Sequence, residues 1–146
     1  MAEKVYIDAT GLILGRLSSA IVPMIMGGKE VVVVNAEKAV VTGNRRFILN
    51  KYLTLRRRRT LTNPRRGPFF PRFPDRIVRR TVRGMLPYKT TSGREAFRRL
   101  SAYIGVPEEL EGKEFTTIEQ AKLRETARKF MTLEEIGREI GWTHDR

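Results

Sequence analysis

The chain has 146 residues, a net charge of +13, no cysteine and a single histidine, enough for one domain with one modest core. Disulfides, thiolate metal sites and thiol catalysis are excluded, and His144 alone argues against a Ser-His-Asp triad or a His-rich metal site. No run of about 18 apolar residues is available to span a membrane, and MAEKVYID has no apolar signal-peptide core, so the expectation is a soluble intracellular protein, not an enzyme, with no cofactor.

The elements begin with VYID (Val5–Asp8), a short β-prone run. In GLILGRLSSAIVPMIMGG, Leu14, Leu17, Ile21, Met24 and Ile25 fall on one arc of a helical wheel, with Arg16, Ser19 and Pro23 on the other side. That spacing predicts an amphipathic helix ended by Gly27-Gly28, kinked or irregular at Pro23. VVVVN (Val31–Asn35) has no polar alternation, which suits a strand buried on both faces of a parallel sheet. Strand, helix and strand in about 30 residues make a βαβ unit. The glycines of GLILG are spaced for neither the dinucleotide fingerprint nor a P-loop, so they read as a strand-to-helix turn. KAVVTG (Lys38–Gly43) suggests a short extended segment, and NRRFILNKYLTL (Asn44–Leu55) a helix capped by Asn44 or Thr42.

The middle third carries the whole charge excess. Residues 51–99 hold 16 Lys and Arg against only Asp75 and Glu95, and 14 of the 16 are Arg. Residues 56–75 form an extended Arg/Pro-rich loop, with Pro64, Pro68, Pro71 and Pro74 and no period of helix or strand. Phe69, Phe70 and Phe73 in this loop either stack on bases or anchor it to its own domain. Asp75–Leu86 reads as a helix with Ile77, Val78, Val82, Met85 and Leu86 on one half and Arg76, Arg79, Arg80 and Arg83 on a narrow opposite arc. Replacing that arc should remove no core contact. Ser92–Gly105 repeats the plan, with Ala96, Phe97, Leu100 and Ile104 inward and Arg94, Arg98 and Arg99 outward. Ordinary solvated helices would carry acidic partners at i,i+4, and almost none are present. Arg grips phosphate with a planar fork and stacks on bases, so the partner expected is a nucleic acid.

The last third is near neutral: VPEELEGKE is an acidic turn, FTTIEQ a candidate short strand, and Thr132–Trp142 a helix with Thr132 as N-cap and Glu135 at the capping-box position. Trp142 reads as a hydrophobic plug. From the residues alone, a free-standing RNA- or DNA-binding protein and, more weakly, an α/β enzyme on a phosphorylated substrate stay open as alternatives.

Several stretches resemble the universal large-subunit ribosomal protein family L-thirteen: D-A-T-G-L-I-L-G-R-L-S-S, V-V-V-V-N-A-E-K, V-T-G-N, R-R-T-V-R-G-M-L-P-Y-K, G-R-E-A-F and A-R-K-F-M-T-L-E-E-I-G-R-E-I-G-W. The resemblance runs from about Val5 to Trp142. N-P-R-R-G-P is similar to the archaeal and eukaryotic branch, and the lack of a long C-terminal extension to the archaeal one; Tyr88 stands where that branch carries histidine. The resemblance implies a three-layer α/β/α domain with a small, mostly parallel four-stranded sheet. It also implies a structural, non-enzymatic constituent of the cytoplasmic ribosome. Its partners would be large-subunit ribosomal RNA and neighbouring ribosomal proteins, with neither a membrane nor a homo-oligomer involved, and its role would be to support early subunit assembly. The RNA-binding residues expected are Arg56, Arg57, Arg58, Arg59, Arg65, Arg66 and Arg72 in the loop, and Arg76, Arg79, Arg80, Arg83, Lys89, Arg94, Arg98 and Arg99 on the helices and their turn. Gly84 and Pro87 would shape that turn for close approach of the backbone to RNA.

Overall fold

Residues 3–143 are described in the computed structural model, and His144 lies outside them. The two β-prone runs become parallel neighbours: β1 (Lys4–Asp8) lies beside β2 (Glu30–Val34), with Val5 opposite Val31 and Asp8 opposite Val34. A third parallel strand, β4 (Leu100–Ala102), takes the other edge of β2. With a neighbour on each side, β2 buries Val31, Val33 and Val34 fully, while Glu30 and Val32 are half-buried. This is the environment that an unbroken β-branched run requires.

Between β1 and β2 runs α1 (Leu14–Met26), which buries Leu14, Leu17, Ile21 and Ile25. The helix continues through Pro23 and stops at Gly27, whose N–H donates to the Pro23 carbonyl (2.9 Å). Gly28 follows at φ +97°, a conformation cheap only for glycine. The GLILG turn is tied into its surroundings: Gly11 N–H donates to the Lys38 carbonyl, and the Gly11 carbonyl accepts from Leu123 N–H.

Val40–Thr42 forms β3, paired antiparallel with β5 (Phe130–Thr132) in a second, two-stranded sheet. Next comes α2 (Arg45–Arg57), whose cap is Asn44: its side chain accepts from Arg46 N–H (3.1 Å). The helices α3 (Pro74–Met85), α4 (Thr91–Arg98) and α5 (Leu133–Glu139) complete the chain. Thr132 Oγ1 caps α5 by accepting from Glu135 N–H (3.3 Å). α1 packs against α3 and α4, whereas α5 sits on α2 and α3. Trp142 is buried as a plug beside Gly137.

The architecture is the expected α/β class, with three differences in detail. The stretch from Ser92 to Gly105 is not one helix. It stops at Arg98, and Leu100–Ala102 becomes β4, because the Arg99 carbonyl and Tyr103 N–H complete hydrogen bonds at the open edge of β2. Leu100 therefore lies in the sheet, and Ile104 follows it. FTTIEQ is not a full strand: Thr116 alone bridges β1, through Thr116 N–H to the Tyr6 carbonyl and Asp8 N–H to the Thr116 carbonyl. The parallel sheet thus has three strands and one bridge in place of four strands. Met85 is 44% exposed, since α3 ends there and Leu86, past the helix, takes the buried position.

Asp8 closes β1 by accepting from Thr10 N–H (3.0 Å), Thr10 Oγ1 (2.7 Å) and Asn35 Nδ2 (3.1 Å). Burial pushes its carboxyl upward, but these hydrogen bonds and the Lys38 charge outweigh it and hold the group below its ordinary value. A lowered carboxyl contributes stability that is present above the ordinary carboxylate value and lost as pH falls through the folded one. Asp8→Asn should cost roughly 1 kcal/mol at neutral pH, after allowance for solvent screening. The gap to wild type should close in the acid limb of a thermal-midpoint-against-pH series.

Candidate nucleic-acid interface

Pro74 at the first position of α3 presets its φ, and Asp75 in the first turn faces the positive end of the helix dipole. Ile77, Val78 and Val82 then turn inward with almost no exposure. A helix with that face buried presents Arg76, Arg79, Arg80 and Arg83 on the other, at spacings of three and four.

These four guanidinium groups lie over aromatic rings. Arg76 sits 5.3 Å from the Phe73 ring centre, Arg80 5.7 Å from Phe70, Arg79 4.7 Å from Phe97 and Arg83 5.0 Å from Tyr88. Tyr88 and Phe97 meet edge to face, with centroids 5.6 Å apart. Each ring attracts its cation through the quadrupole and restricts a side chain that would otherwise have many rotamers. Arg76, Arg79, Arg80 and Arg83, with Phe69, Phe70, Pro71 and Phe97, line an open groove of about 490 Å³. The expectation that replacing Arg79, Arg80 and Arg83 removes no core contact is corrected at Arg79, which lies over Phe97, a ring packed against the core. Arg79 is half-buried, and its Nε, like Asp75 Oδ1, is buried without a hydrogen-bond partner among the described residues.

The loop is shorter than expected, because Arg56 and Arg57 end α2 while Pro74 and Asp75 begin α3. It also closes on itself. A Cβ on Gly67 would fall 2.7 Å from Thr60 N, so only glycine allows the two strands of the loop to touch there. Beyond that neck, Asn63 caps a turn at Pro64–Arg66 by accepting from Arg65 N–H. The tip is fully outward, with Leu61 84% exposed. The returning limb is anchored. Arg56 donates to the Phe70 carbonyl, and the Arg72 backbone passes so close to Gly137 of α5 that a Cβ there would be 3.0 Å from the Arg72 carbonyl. Of the three phenylalanines, Phe70 and Phe73 are half-buried under arginines, and Phe69 stands out at 71% exposure.

The expected RNA-binding residues therefore divide. Arg57, Arg58, Arg59, Arg65, Arg66, Lys89 and Arg98 are exposed, and no side-chain partner holds them among the described residues. Arg76, Arg79, Arg80 and Arg83 form the ring-backed row. Arg94 donates from Nε to the Tyr88 carbonyl (3.2 Å) and braces the turn after α3. Three have architectural contacts: Arg56 holds Phe70, Arg72 lies over Gly141, and Arg99 donates to the Ile25 carbonyl (2.8 Å) at the end of α1. Burial and the Arg72 cation both lower the Arg56 guanidinium from its ordinary value. Sequence reasoning missed Phe97 and Tyr88 as supports, since they approach α3 from the next helix and turn.

Among the described residues, the ion pairs join Lys4–Glu30, Lys29–Glu3, Arg45 with Glu135 and Glu139, Lys122–Glu119 and Arg138–Glu134. None uses a residue of the basic middle third. Among the same residues, no His, Cys, Asp or Glu cluster is placed to hold a metal, and no helix is long and apolar enough to cross a membrane.

The family model for ribosomal protein L13 matches residues 2–109, which include this groove. The chain belongs to the ribosomal protein L13 family. This is a family of structural proteins, not enzymes. The chain is 49% identical over 138 residues to the large ribosomal subunit protein uL13 of Archaeoglobus fulgidus, covering 93% of this chain and 86% of that relative. To the uL13 of Methanocaldococcus jannaschii it is 46% identical over 136 residues, 92% of this chain and 96% of the relative. To that of Methanococcoides burtonii it is 44% identical with the same coverage. These relatives are archaeal, in keeping with an archaeal-type member.

Two substitutions test the geometry. A Cβ on Gly93 would lie 2.0 Å from the Pro87 carbonyl oxygen, so Gly93→Ala should destabilise the free protein by roughly 1–3 kcal/mol. Gly84→Ala, whose Cβ meets nothing within 4 Å, should leave the thermal midpoint unchanged or slightly raised. The triple Arg79, Arg80 and Arg83→Ala variant should lose about 1 kcal/mol as three ring contacts outweigh relief of repulsion. An unchanged thermal midpoint would show that the rings contribute nothing.

Proposed function

We propose that this protein is a structural constituent of the large ribosomal subunit that binds large-subunit ribosomal RNA and supports early subunit assembly. It does so in the cytoplasmic ribosome, beside neighbouring ribosomal proteins. The observation that carries the reading is the unpaired, ring-backed arginine row of α3 beside the arginine-rich loop. Family membership and relatives named as large-subunit proteins support it.

The division of labour follows from the chemistry. Arg76, Arg79, Arg80 and Arg83 are held in a fixed row by their aromatic rings, so little side-chain freedom is lost when phosphates arrive. Arg65 and Arg66 reach out on the closed tip, Arg58 and Arg59 stand just before its neck, and all four take up phosphate by charge alone. Arg57, Lys89, Arg94 and Arg98 extend the positive field along the groove. Arg56, Arg72 and Arg99 contribute first by holding the loop and the end of α1 in place. Gly84, with open space where a Cβ would be, lets RNA approach the end of α3 closely.

If about eight of these groups contact phosphate, the slope of log K against log salt for large-subunit RNA should be roughly −5 to −7. Filter binding or fluorescence anisotropy over a salt series measures it, and a slope near −1 overturns the multi-arginine reading. Retention on large subunits after a high-salt wash separates a ribosomal constituent from a free-standing nucleic-acid binder.

A further inference from the structure

Phe70, Pro71 and Arg80 border two hollows at once. One is the open arginine groove. The other is a narrower cleft of about 240 Å³ between α2, the returning limb of the loop and α3. Leu55, Ile77 and Ile140 give this cleft apolar walls, and Lys51, Arg56 and Arg80 give it three cations; no acid lines it among the described residues. The ridge between the two hollows carries an aromatic ring with a guanidinium above it.

The lining narrows the choice of occupant. An apolar segment would strip water from three cations and return nothing to them. A small inorganic anion would satisfy the cations and leave the apolar wall unfilled. A duplex has its bases paired inside and only phosphates to offer. A single unpaired nucleotide has both parts: a flat base for the ring and the apolar wall, and a phosphate for the cations. The volume, below the roughly 300–1,000 Å³ of sites for drug-sized molecules, suits one base. Arg56 donates to the Phe70 carbonyl but is destabilised as a cation by burial and by Arg72, and no acid pairs with it among the described residues, so an anion arriving there adds a compensating charge.

We propose that the cleft holds one unpaired nucleotide turned out of an RNA strand that lies along the arginine groove. The strand crosses the Phe70–Arg80 ridge, its base packs against Phe70 and the apolar wall, and its phosphate meets Arg56, Arg80 and Lys51. This inference rests on the RNA-binding reading above. It adds that the RNA at this point is single-stranded and that one nucleotide is read by shape.

Tyr52 lines the cleft and not the open groove, which makes it a reporter. Wild-type protein irradiated with a large-subunit RNA fragment carrying 4-thiouridine at unpaired positions should give a crosslink to Tyr52. Crosslinks confined to Phe69, Phe97 or residues 58–66 overturn the proposal. Leu55→Trp fills the cleft without touching a cation. It should raise the Kd for that RNA roughly 10-fold, the loss of one base–aromatic stack, with the salt slope unchanged. An unchanged Kd with a folded variant overturns the cleft and leaves the arginine interface standing. Failure of wild type to bind RNA at all overturns the earlier reading instead. Free nucleoside monophosphates at millimolar concentration should not displace the RNA, and displacement would mean that the cleft serves a soluble nucleotide and not a strand.

Discussion

The packing of α3 against α1 is the constraint on which the rest depends. Burying Ile77, Val78 and Val82 there is favourable by roughly 1.5–3 kcal/mol for each side chain. The mutual repulsion of four cations on the opposite face, close to water, is on the order of 1 kcal/mol per near pair and is screened further by salt. Burial wins, so the fold can hold a row of like charges that no acid neutralises. The aromatic rings add to this by giving each guanidinium an attractive surface that carries no formal charge. A carboxylate in their place would hold the arginines equally well and would cancel the positive field of the row.

The near-neutral last third has a role in this arrangement. Arg45 of α2 reaches both Glu135 and Glu139 of α5, and α5 in turn abuts the Arg72 backbone through Gly137. The helix that carries acids therefore pairs with the start of α2, away from the ring-backed row. Gly137, and Gly141 just past the helix, let the loop's returning limb lie close against it. Glu135 and Glu139 are thus engaged with Arg45 and not with the ring-backed row.

Much of this was legible in the sequence. VVVVN suited a shielded strand, Asn44 and Thr132 cap helices as their types suggest, and the arginine spacing of α3 marks one face. β4 was hidden. Leu100, Ser101 and Ala102 have little strand propensity and continue the helical period of α4, and only the vacant edge of β2 turns them into a strand. The aromatic supports were hidden for a related reason. Phe97 lies 18 positions from Arg79 and Phe70 ten from Arg80, separations that no local pattern encodes. The need for a missing side chain at Gly93 is set by the Pro87 carbonyl, a contact that no local pattern encodes.

The neck between Thr60 and Gly67 makes the loop's tip a module with its own length. Because the chain closes there, the six residues beyond it set how far the arginines project, while the residues before and after it set where they point. At about 3.3 Å per residue, an out-and-back path of that size reaches at most about 10 Å from the neck, and the turn at Pro64–Arg66 shortens it. Reach and direction are thus encoded separately. Residues can be gained or lost at the tip, changing how deeply the protein probes its partner, without disturbing Arg56, Phe70 or the ring-backed row at its base.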